Sequence, residues 1–246
     1  MQNAIKLKIK TLSNLFIGGM PLPFEIGGID QQTALDQEGF PCIPGSSLKG
    51  ALRAIVHEDS CDMQQRVSKL YAAYLEQDRE ASRKHIQELM HEEGKSQIDI
   101  NEALNRLQKR YDDEANTLPH EYIFGIKGFN HTPKLLFSDF LLCSESRKED
   151  KYFSIDMKNS IDDSGETPVS NPRTYKTARC GLVFEGEIRL YKMDTLFEND
   201  MGLCERYIIY NLMKFNKGIY RLGNSKSRGY GKIEVTIEND GEGLKI

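Results

Sequence analysis

A glycine-rich, basic segment near the end of the sequence is the first candidate for chemistry. Residues 221–232 contain four lysines and arginines, three glycines, one tyrosine and no acidic residue. Glycine lets the backbone approach a sugar-phosphate chain, lysine and arginine neutralise phosphates, and tyrosine can stack on a base. The composition favours binding of RNA or DNA, and a flexible hairpin before the last strand is the alternative. The candidate RNA contacts are Gly223, Lys226, Ser227, Arg228, Gly229 and Tyr230.

A second segment, residues 43–53, places a glycine turn directly before a predicted helix. The free N–H groups and the positive dipole end of such a turn suit a phosphate. The segment is not a Walker loop, because that motif needs a longer loop and a lysine followed by serine or threonine. An ordinary helix, capped by Ser46 or Ser47 and carrying solvated basic side chains, is the alternative. The candidate RNA contacts are Gly45, Ser46, Ser47, Lys49 and Arg53.

The third segment, residues 171–179, carries a basic residue at every third position from Arg173 and no acidic residue. It follows the polar stretch 159–170, so we expect a long exposed hairpin whose returning arm is cationic. Arg173 and Lys176 are the candidate RNA contacts on this arm. A solvated surface strand without a ligand is the alternative.

Patterns for metal binding or covalent catalysis are poor in the rest of the sequence. The five cysteines include no C-x-x-C pair, so neither a zinc ribbon nor a disulfide framework is indicated. His57 and Cys61 lie four residues apart in a predicted helix, but no second pair accompanies them, which favours surface or core roles. The glycine-rich and basic segments therefore remain the main candidates.

Hydrophobic periodicity predicts the elements that hold these segments. Residues 5–10 alternate apolar and basic residues, the pattern of a strand with one buried face and one wet, cationic face. Glycines and prolines make residues 13–44 loops and short extended pieces. Residues 59–118 contain no proline and show helical spacing, with a capping box at Asp99 and Glu102. Further strands are predicted at 134–142, 152–157, 181–191 and 232–237, and a further helix at 200–215.

Without residues 59–118, the order of elements is strand, helix, strand, strand, helix, strand, as in ferredoxin-like RNA-recognition modules. We therefore expect an α+β protein in which residues 1–58 and 119–246 form an RNA-recognition-like domain with a helical insertion at 59–118. The insertion holds 9 basic and 13 acidic residues, which accounts for the net charge of −4. Because negative charge repels phosphate, we expect the insertion to face away from RNA.

Length and composition exclude two classes of protein. A chain of 246 residues with 39% hydrophobic residues is too apolar to be disordered throughout. No stretch reaches the roughly 18 consecutive apolar residues that a membrane helix needs, and the N-terminal residues lack a signal-peptide core. We expect a soluble, cytoplasmic protein without a membrane partner.

Four separated motifs resemble those of the RAMP superfamily of CRISPR proteins. They cover residues 26–30, 43–53, 159–173 and 223–231, in the order of that family. The likeness is greatest to the repeated backbone subunit of type III, Csm-type effector complexes. It implies a modified RNA-recognition fold and copies that stack along the CRISPR RNA. It also implies a thumb hairpin, here residues 157–176, that interrupts the guide–target duplex.

The resemblance also implies a catalytic residue, because the backbone nuclease of the family cuts target RNA with an aspartate in the loop after the first strand. The matching residue is Asp30, which we expect to be the catalytic side chain and a ligand of a divalent metal, Mg or Mn. From the residues alone, an aspartate after two glycines is typical of a turn. Phe16 stands where relatives often carry histidine.

The resemblance therefore implies a type III effector subunit that binds guide RNA and cleaves complementary target RNA. Its expected partners are the CRISPR guide RNA, single-stranded target RNA, further copies of itself and other subunits of the complex. One alternative is a non-catalytic structural RAMP subunit, which would have no use for Asp30. Another is a guide-processing endoribonuclease, which would need a histidine or a tyrosine–lysine site.

Overall fold

The computed structural model describes residues 4–19, 28–114, 118–148, 151–162, 169–196 and 201–238. These residues form the mixture of helices and sheets that the sequence predicts for an α+β fold. Ile26 and Gly27 of the first motif, and residues 163–168 of the expected thumb, lie outside the described residues.

The larger sheet is built around the strand that the sequence predicts most clearly. This strand, β1 (Ala4–Thr11), pairs antiparallel with β7 (Val183–Tyr191) and with β8 (Ile233–Glu238). The strand order is β3-β7-β1-β8, where β3 is Lys134–Phe137, and the short β4 (Leu141–Leu142) also pairs with β7. The apolar residues Ile5, Leu7 and Ile9 of β1 are buried, as the period-two pattern predicts.

A long hairpin forms the second sheet. Its arms β5 (Phe153–Asp162) and β6 (Val169–Ala178) pair antiparallel over their whole length, and β2 (Gln31–Gln32) pairs parallel with β6. The long hairpin with a cationic returning arm that the sequence predicts is therefore present. The pairing places Lys158 opposite Arg173 and Asp156 opposite Tyr175. Side chains of paired residues share one face of the hairpin.

The α-helices are α1 (Gly45–His57), α2 (Asp62–Glu92), α3 (Gln97–Glu114) and α4 (Met201–Met213). The capping box of α3 uses Ser96 and Asp99, three residues before the predicted pair. The Ser96 hydroxyl donates to Asp99 Oδ2 at 2.7 Å and accepts from the Asp99 N–H at 3.3 Å. The prediction missed this box because aspartate can serve either as the N-cap or as the acceptor at the end of the box, and here Asp99 has the second role.

Short 3-10 helices complete the described structure, at Pro119–Phe124, Ser146–Lys148, Met193–Thr195, Lys214–Lys217 and Lys226–Arg228. The first of these contacts α2, where Val67, Leu70 and Tyr71 are buried. The Tyr71 hydroxyl donates to the Pro133 carbonyl at 3.2 Å. The predominantly polar α2 is thus anchored by one apolar stripe near its start.

The chain divides into two compact units. One comprises residues 1–55, 137–189 and 210–246, and the other comprises residues 56–136 and 190–209. The helices α2 and α3 lie in the second unit. The first unit contains the hairpin and the glycine-rich segment 221–232. The predicted division at residues 58 and 119 stays a prediction.

Candidate nucleic-acid interface

The glycine loop, residues 221–232, is a closed and well-defined turn. The Leu222 N–H donates to the Gly231 carbonyl at 2.9 Å, which closes the base of the loop. Gly223 and Gly231 have φ angles of 79° and 76°. A Cβ at these positions would lie 2.4 Å from the Phe16 oxygen and 1.9 Å from the Leu222 oxygen. Both glycines are therefore required by conformation and by space.

The tip of the glycine loop faces solvent. Lys226, Ser227, Arg228 and Gly229 are all exposed, and the first three form a single 3-10 turn. Exposure leaves the basic side chains accessible to a polyanion. The structure thus brings these four predicted contact residues together on one small surface.

The carboxylate of Asp156 on β5 accepts hydrogen bonds from four side chains. Its Oδ2 accepts from Asn14 Nδ2 at 3.2 Å, from Thr177 Oγ1 at 2.9 Å and from the Tyr230 hydroxyl at 2.8 Å. Its Oδ1 accepts from Ser154 Oγ at 2.9 Å. Desolvation would raise the pKa of Asp156, but these hydrogen bonds outweigh it and hold the pKa below its ordinary value.

The hydroxyl of Tyr230 is the partner that ties the glycine loop to this carboxylate. Burial and the hydrogen bond to Asp156 raise the pKa of Tyr230 to about 12. A hydroxyl with such a pKa holds its proton near neutral pH. Tyr230 therefore acts as a hydrogen-bond donor to Asp156. The Tyr230 side chain is only partly exposed.

Lys158, two residues after Asp156, lies among three aromatic rings. Its Nζ is 3.9 Å from the ring centre of Tyr230, 4.3 Å from that of Tyr175 and 5.5 Å from that of Phe16. The same nitrogen donates to Ser225 Oγ at 2.9 Å. Desolvation, followed by the positive charge of Arg228, lowers the pKa of Lys158. The ring faces compensate part of this cost, because they attract a cation.

The two basic residues predicted on the returning arm lie on opposite faces of the hairpin. Arg173 is exposed and lies opposite Lys158 in the register. Lys176 lies opposite Ile155, with its Nζ 4.0 Å from the ring centre of Phe153. On that second face, Ile155 and Met157 are 58% and 79% exposed. The hairpin thus has one polar face against the glycine loop and one face with exposed apolar side chains.

Asp30 lies on the edge of the same hairpin. Its N–H donates to the Thr174 carbonyl at 3.0 Å, and its Oδ2 accepts from the Thr174 N–H at 2.5 Å. The side chain is exposed. Asp30 therefore has a defined structural contact: its backbone N–H and one carboxylate oxygen extend the pairing of β2 with β6 by one position.

The segment before α1 is anchored on the turn between β3 and β4. The buried Gly45 donates its N–H to Asp139 Oδ1 at 2.8 Å, so Asp139 caps α1 where we expected Ser46 or Ser47. A Cβ on Gly45 would lie 2.6 Å from the Ser138 oxygen. Ser46 and Arg53 are exposed, whereas Ser47 and Lys49 are half-buried. The Gly45 N–H, one of the groups expected to bind phosphate at this turn, is thus already hydrogen-bonded within the protein.

The wet face of β1 is not the open cationic surface that its lysines alone suggest. Lys8 forms ion pairs with Glu238 at 2.8 Å and with Glu185 at 3.2 Å. Hydrogen bonds to these two glutamates raise the pKa of Lys8. RNA-recognition modules stack bases on aromatic side chains of their sheet. The paired charges on this strand make the hairpin and the glycine loop the better candidate interface.

The described residues contain no group of three or more His, Cys, Asp and Glu side chains arranged to hold a metal. In the same part of the chain, no helix is long and apolar enough to cross a membrane.

A sequence profile of the RAMP superfamily matches residues 8–234. The chain belongs to the RAMP superfamily. This match includes the glycine loop, the hairpin and Asp30, and it confirms the resemblance drawn from the four motifs. The superfamily assignment also agrees with the observed mixture of helices and sheets.

One curated relative and one solved structure extend this result. The CRISPR system Cms endoribonuclease Csm3 of Methanocaldococcus jannaschii is 28% identical over 242 residues, covering 92% of this chain and 75% of the relative. A chain in the cryo-EM structure of the Type III-B Cmr-beta bound to cognate target RNA has a TM-score of 0.56 at 16% identity. That similarity covers 96% of this chain, which spans 59% of the other one.

Asn14, Asp156 and Lys158 are among the interface residues that were not predicted. A signal for the last two exists in the sequence, since Asp156 and Lys158 alternate with apolar residues, as do residues on one face of a strand. No local pattern marks Asn14, because its partner in the network is 142 residues away.

Proposed function

We propose that this RAMP protein is a backbone subunit of a type III CRISPR effector complex that binds guide RNA and cleaves complementary target RNA at Asp30. The observation that carries this proposal is the exposed carboxylate of Asp30 on the edge of the hairpin whose polar face holds the glycine loop. An exposed carboxylate and a basic loop are thus attached to one hairpin.

The glycine loop and the hairpin supply the binding surfaces that this function needs. Lys226 and Arg228 at the loop tip, with Arg173 on the hairpin, offer exposed positive charge for the phosphates of the guide. The exposed Ile155 and Met157 provide the apolar surface that a wedge between bases requires. The two similar proteins support this proposal, since one is named an endoribonuclease and the other belongs to a complex bound to target RNA.

Asp30 can assist cleavage in two ways. Its free oxygen can accept the proton of a ribose 2′-hydroxyl, which then attacks the adjacent phosphate. Alternatively, it can hold a divalent cation beside that phosphate. In both cases Oδ1 would act, because Oδ2 already accepts a hydrogen bond from the Thr174 N–H.

The donor set around Asp30 fits a divalent metal only as a partial site. Magnesium commonly uses one or two carboxylates and completes its shell with substrate phosphate and water, so a single aspartate is sufficient if RNA supplies the rest. A bound Mg or Mn ion would neutralise charge on the scissile phosphate. Asp30 would be its ligand from this chain.

The guide-processing alternative needs a tyrosine–lysine site, and Lys158 with Tyr230 has the required residue types. The arrangement does not favour this chemistry. Tyr230 is tied to Asp156 with a pKa of about 12, so it is a poor general base at neutral pH. The structural alternative, a subunit without cleavage, differs from our proposal only in the role of Asp30.

The decisive experiment purifies the chain with its native partners, sequences the co-purifying RNA and measures cleavage of a complementary target. We expect repeat-derived RNA of discrete lengths and target cuts at regular intervals. Cleavage by the Asp30→Asn variant at the wild-type rate would favour the structural alternative. A target with a 2′-deoxy nucleotide at the cut site tests the nucleophile, since persistent cutting would exclude the 2′-hydroxyl.

A further inference from the structure

Asp156 and Lys158 contact the glycine loop on the two sides of its tip, from one face of β5. Lys158 Nζ donates to Ser225 Oγ at 2.9 Å, just before the 3-10 turn at the loop tip. Asp156 accepts from the Tyr230 hydroxyl at 2.8 Å, just after that turn. The exposed turn 226–229 is thus held on both sides by neighbouring residues of a strand that is remote in sequence.

The first of these contacts restrains an unusual backbone conformation. Ser225 has a φ of 57°, in the left-handed region that residues other than glycine rarely adopt. Such a conformation persists when surrounding contacts determine it. Here the Lys158 ammonium holds the Ser225 side chain, and the Asn224 N–H donates to the Phe16 carbonyl at 2.7 Å.

The Lys158 ammonium is engaged within the protein. It lies over the rings of Tyr230, Tyr175 and Phe16 and donates to Ser225. A phosphate contact by the same nitrogen would require it to leave this environment. Lys158 is therefore suited to act on RNA through the loop, whereas Arg228 at the tip is exposed.

We propose that Lys158 and Asp156 are positioning residues that fix the glycine loop in the shape that presents Lys226, Ser227 and Arg228 to RNA. This inference rests on the proposed function only for the identity of the ligand. The fixation of the loop itself is a property of the free protein and can be tested without RNA.

The first experiment measures trypsin cleavage after Lys226 and Arg228 in the full-length chain, by mass spectrometry, without RNA. In the Lys158→Met variant, we expect cleavage in the loop to accelerate at least about fivefold, as expected when a cation–π contact no longer opposes local opening. The Lys158→Arg variant should restore slow cleavage, because guanidinium also stacks on aromatic rings and donates hydrogen bonds. Wild-type cleavage rates in a folded Lys158→Met protein would overturn the proposal.

Two further variants make this test robust. Lys10→Met removes the same charge from the exposed face of β1 and should leave loop cleavage unchanged. Tyr230→Phe keeps the ring beside Lys158 but removes the hydrogen bond to Asp156, so it tests the second anchor if Lys158→Met does not fold. Unchanged cleavage in Tyr230→Phe would remove Asp156 from the proposal.

The second experiment is a double-mutant cycle on guide-RNA affinity with Lys158→Met and Arg228→Ala. If Lys158 acts by positioning the loop, the loss caused by Arg228→Ala should be smaller in the Lys158→Met background than in the wild type. Additive losses would mean that Lys158 contacts RNA independently, which contradicts the proposal. A loosened loop with unchanged RNA affinity would support the positioning role and instead overturn the assignment of this loop as an RNA contact.

Discussion

The hairpin with its glycine loop and the helices α2 and α3 use polar residues in opposite ways. At the hairpin, Asp156 joins side chains from residues 14, 177 and 230, which are distant in sequence. On the helices, ion pairs are local and exposed, such as Lys84 with Glu88 and Arg106 with Glu102. The first region fixes three segments relative to each other, and the second mainly covers helix surfaces.

This difference has an energetic reason. A partly buried polar network is costly unless every member is satisfied, and it then specifies one geometry. Exposed pairs at helical spacing contribute only about 0.3–0.5 kcal/mol each and fix little beyond their own helix. Substitutions in the Asp156 network should therefore matter, whereas substitutions in the exposed ion pairs of the helices should be tolerated.

The largest effect is expected at Asp30. Asp30→Asn keeps the size of the side chain but removes its charge, and it should reduce target cleavage by about 10² to 10⁴. Guide and target affinity should stay within a few-fold, because affinity depends mainly on phosphate contacts and base pairing. Asp62→Asn, an exposed position at the start of α2, is the matched control and should cleave normally. Equal cleavage by both variants would remove Asp30 from catalysis.

The next largest effect concerns the exposed basic residues of the interface. Arg228→Ala and Arg173→Ala should each weaken guide-RNA binding and lower the log–log salt slope by about 0.7 to 0.9 for each lost phosphate contact. Binding is measured by titration at several salt concentrations. Lys10→Ala serves as the control on the exposed face of β1. If its salt slope falls as much as that of the two arginine variants, the phosphate path runs elsewhere.

A smaller effect with a defined pH dependence is expected at Asp156. Its folded pKa is below the ordinary value of 3.8, so the charged carboxylate stabilises the fold above about pH 4 and this contribution is lost as pH falls further. Asp156→Asn should therefore lower the free energy of unfolding by about 1 kcal/mol at pH 7, the usual net value of a hydrogen bond.

Denaturant unfolding of wild type and Asp156→Asn at pH 7 and pH 3 checks the sign. The difference between the two proteins should shrink at the lower pH, because Asp156 then binds a proton more readily in the unfolded chain than in the folded protein, where its pKa is lower. A difference that grows on acidification would contradict the role assigned to this carboxylate.

The smallest effect is expected on α2. Glu88→Gln removes an exposed ion pair with Lys84 and should change the free energy of unfolding by less than about 0.5 kcal/mol. Guide-RNA affinity should be unchanged. A marked gain or loss of RNA affinity would show that this helix is close to the bound RNA and would remove the contrast between the two regions.

Sequence periodicity predicted most elements but not their interruptions. The strand expected at 134–142 is divided into β3 and β4. Between them, Asp139 accepts a hydrogen bond from Gly45 at the start of α1, whereas Ser138 stays bonded to Glu187 of β7. The cap of α1 was missed because its acceptor, Asp139, lies 94 residues from Gly45. The arms of the hairpin were predicted because a polar stretch separates two extended segments.

The sequence by itself determined the α+β class, the acid-free basic loop and the superfamily, because these depend on local periodicity, composition and ordered motifs. Tertiary structure alone decided that Asp156 and Lys158 hold that loop, and that Asp30 joins the edge of the hairpin at Thr174. The physical reason is that these contacts form between segments far apart in sequence. The pairing of β2 with β6 brings Asp30 to Thr174. The glycine loop is bonded to Asn14 and Phe16, whose neighbour Leu15 pairs with Ala178 at the end of β6. The donors and acceptors of these contacts carry no local signal of one another.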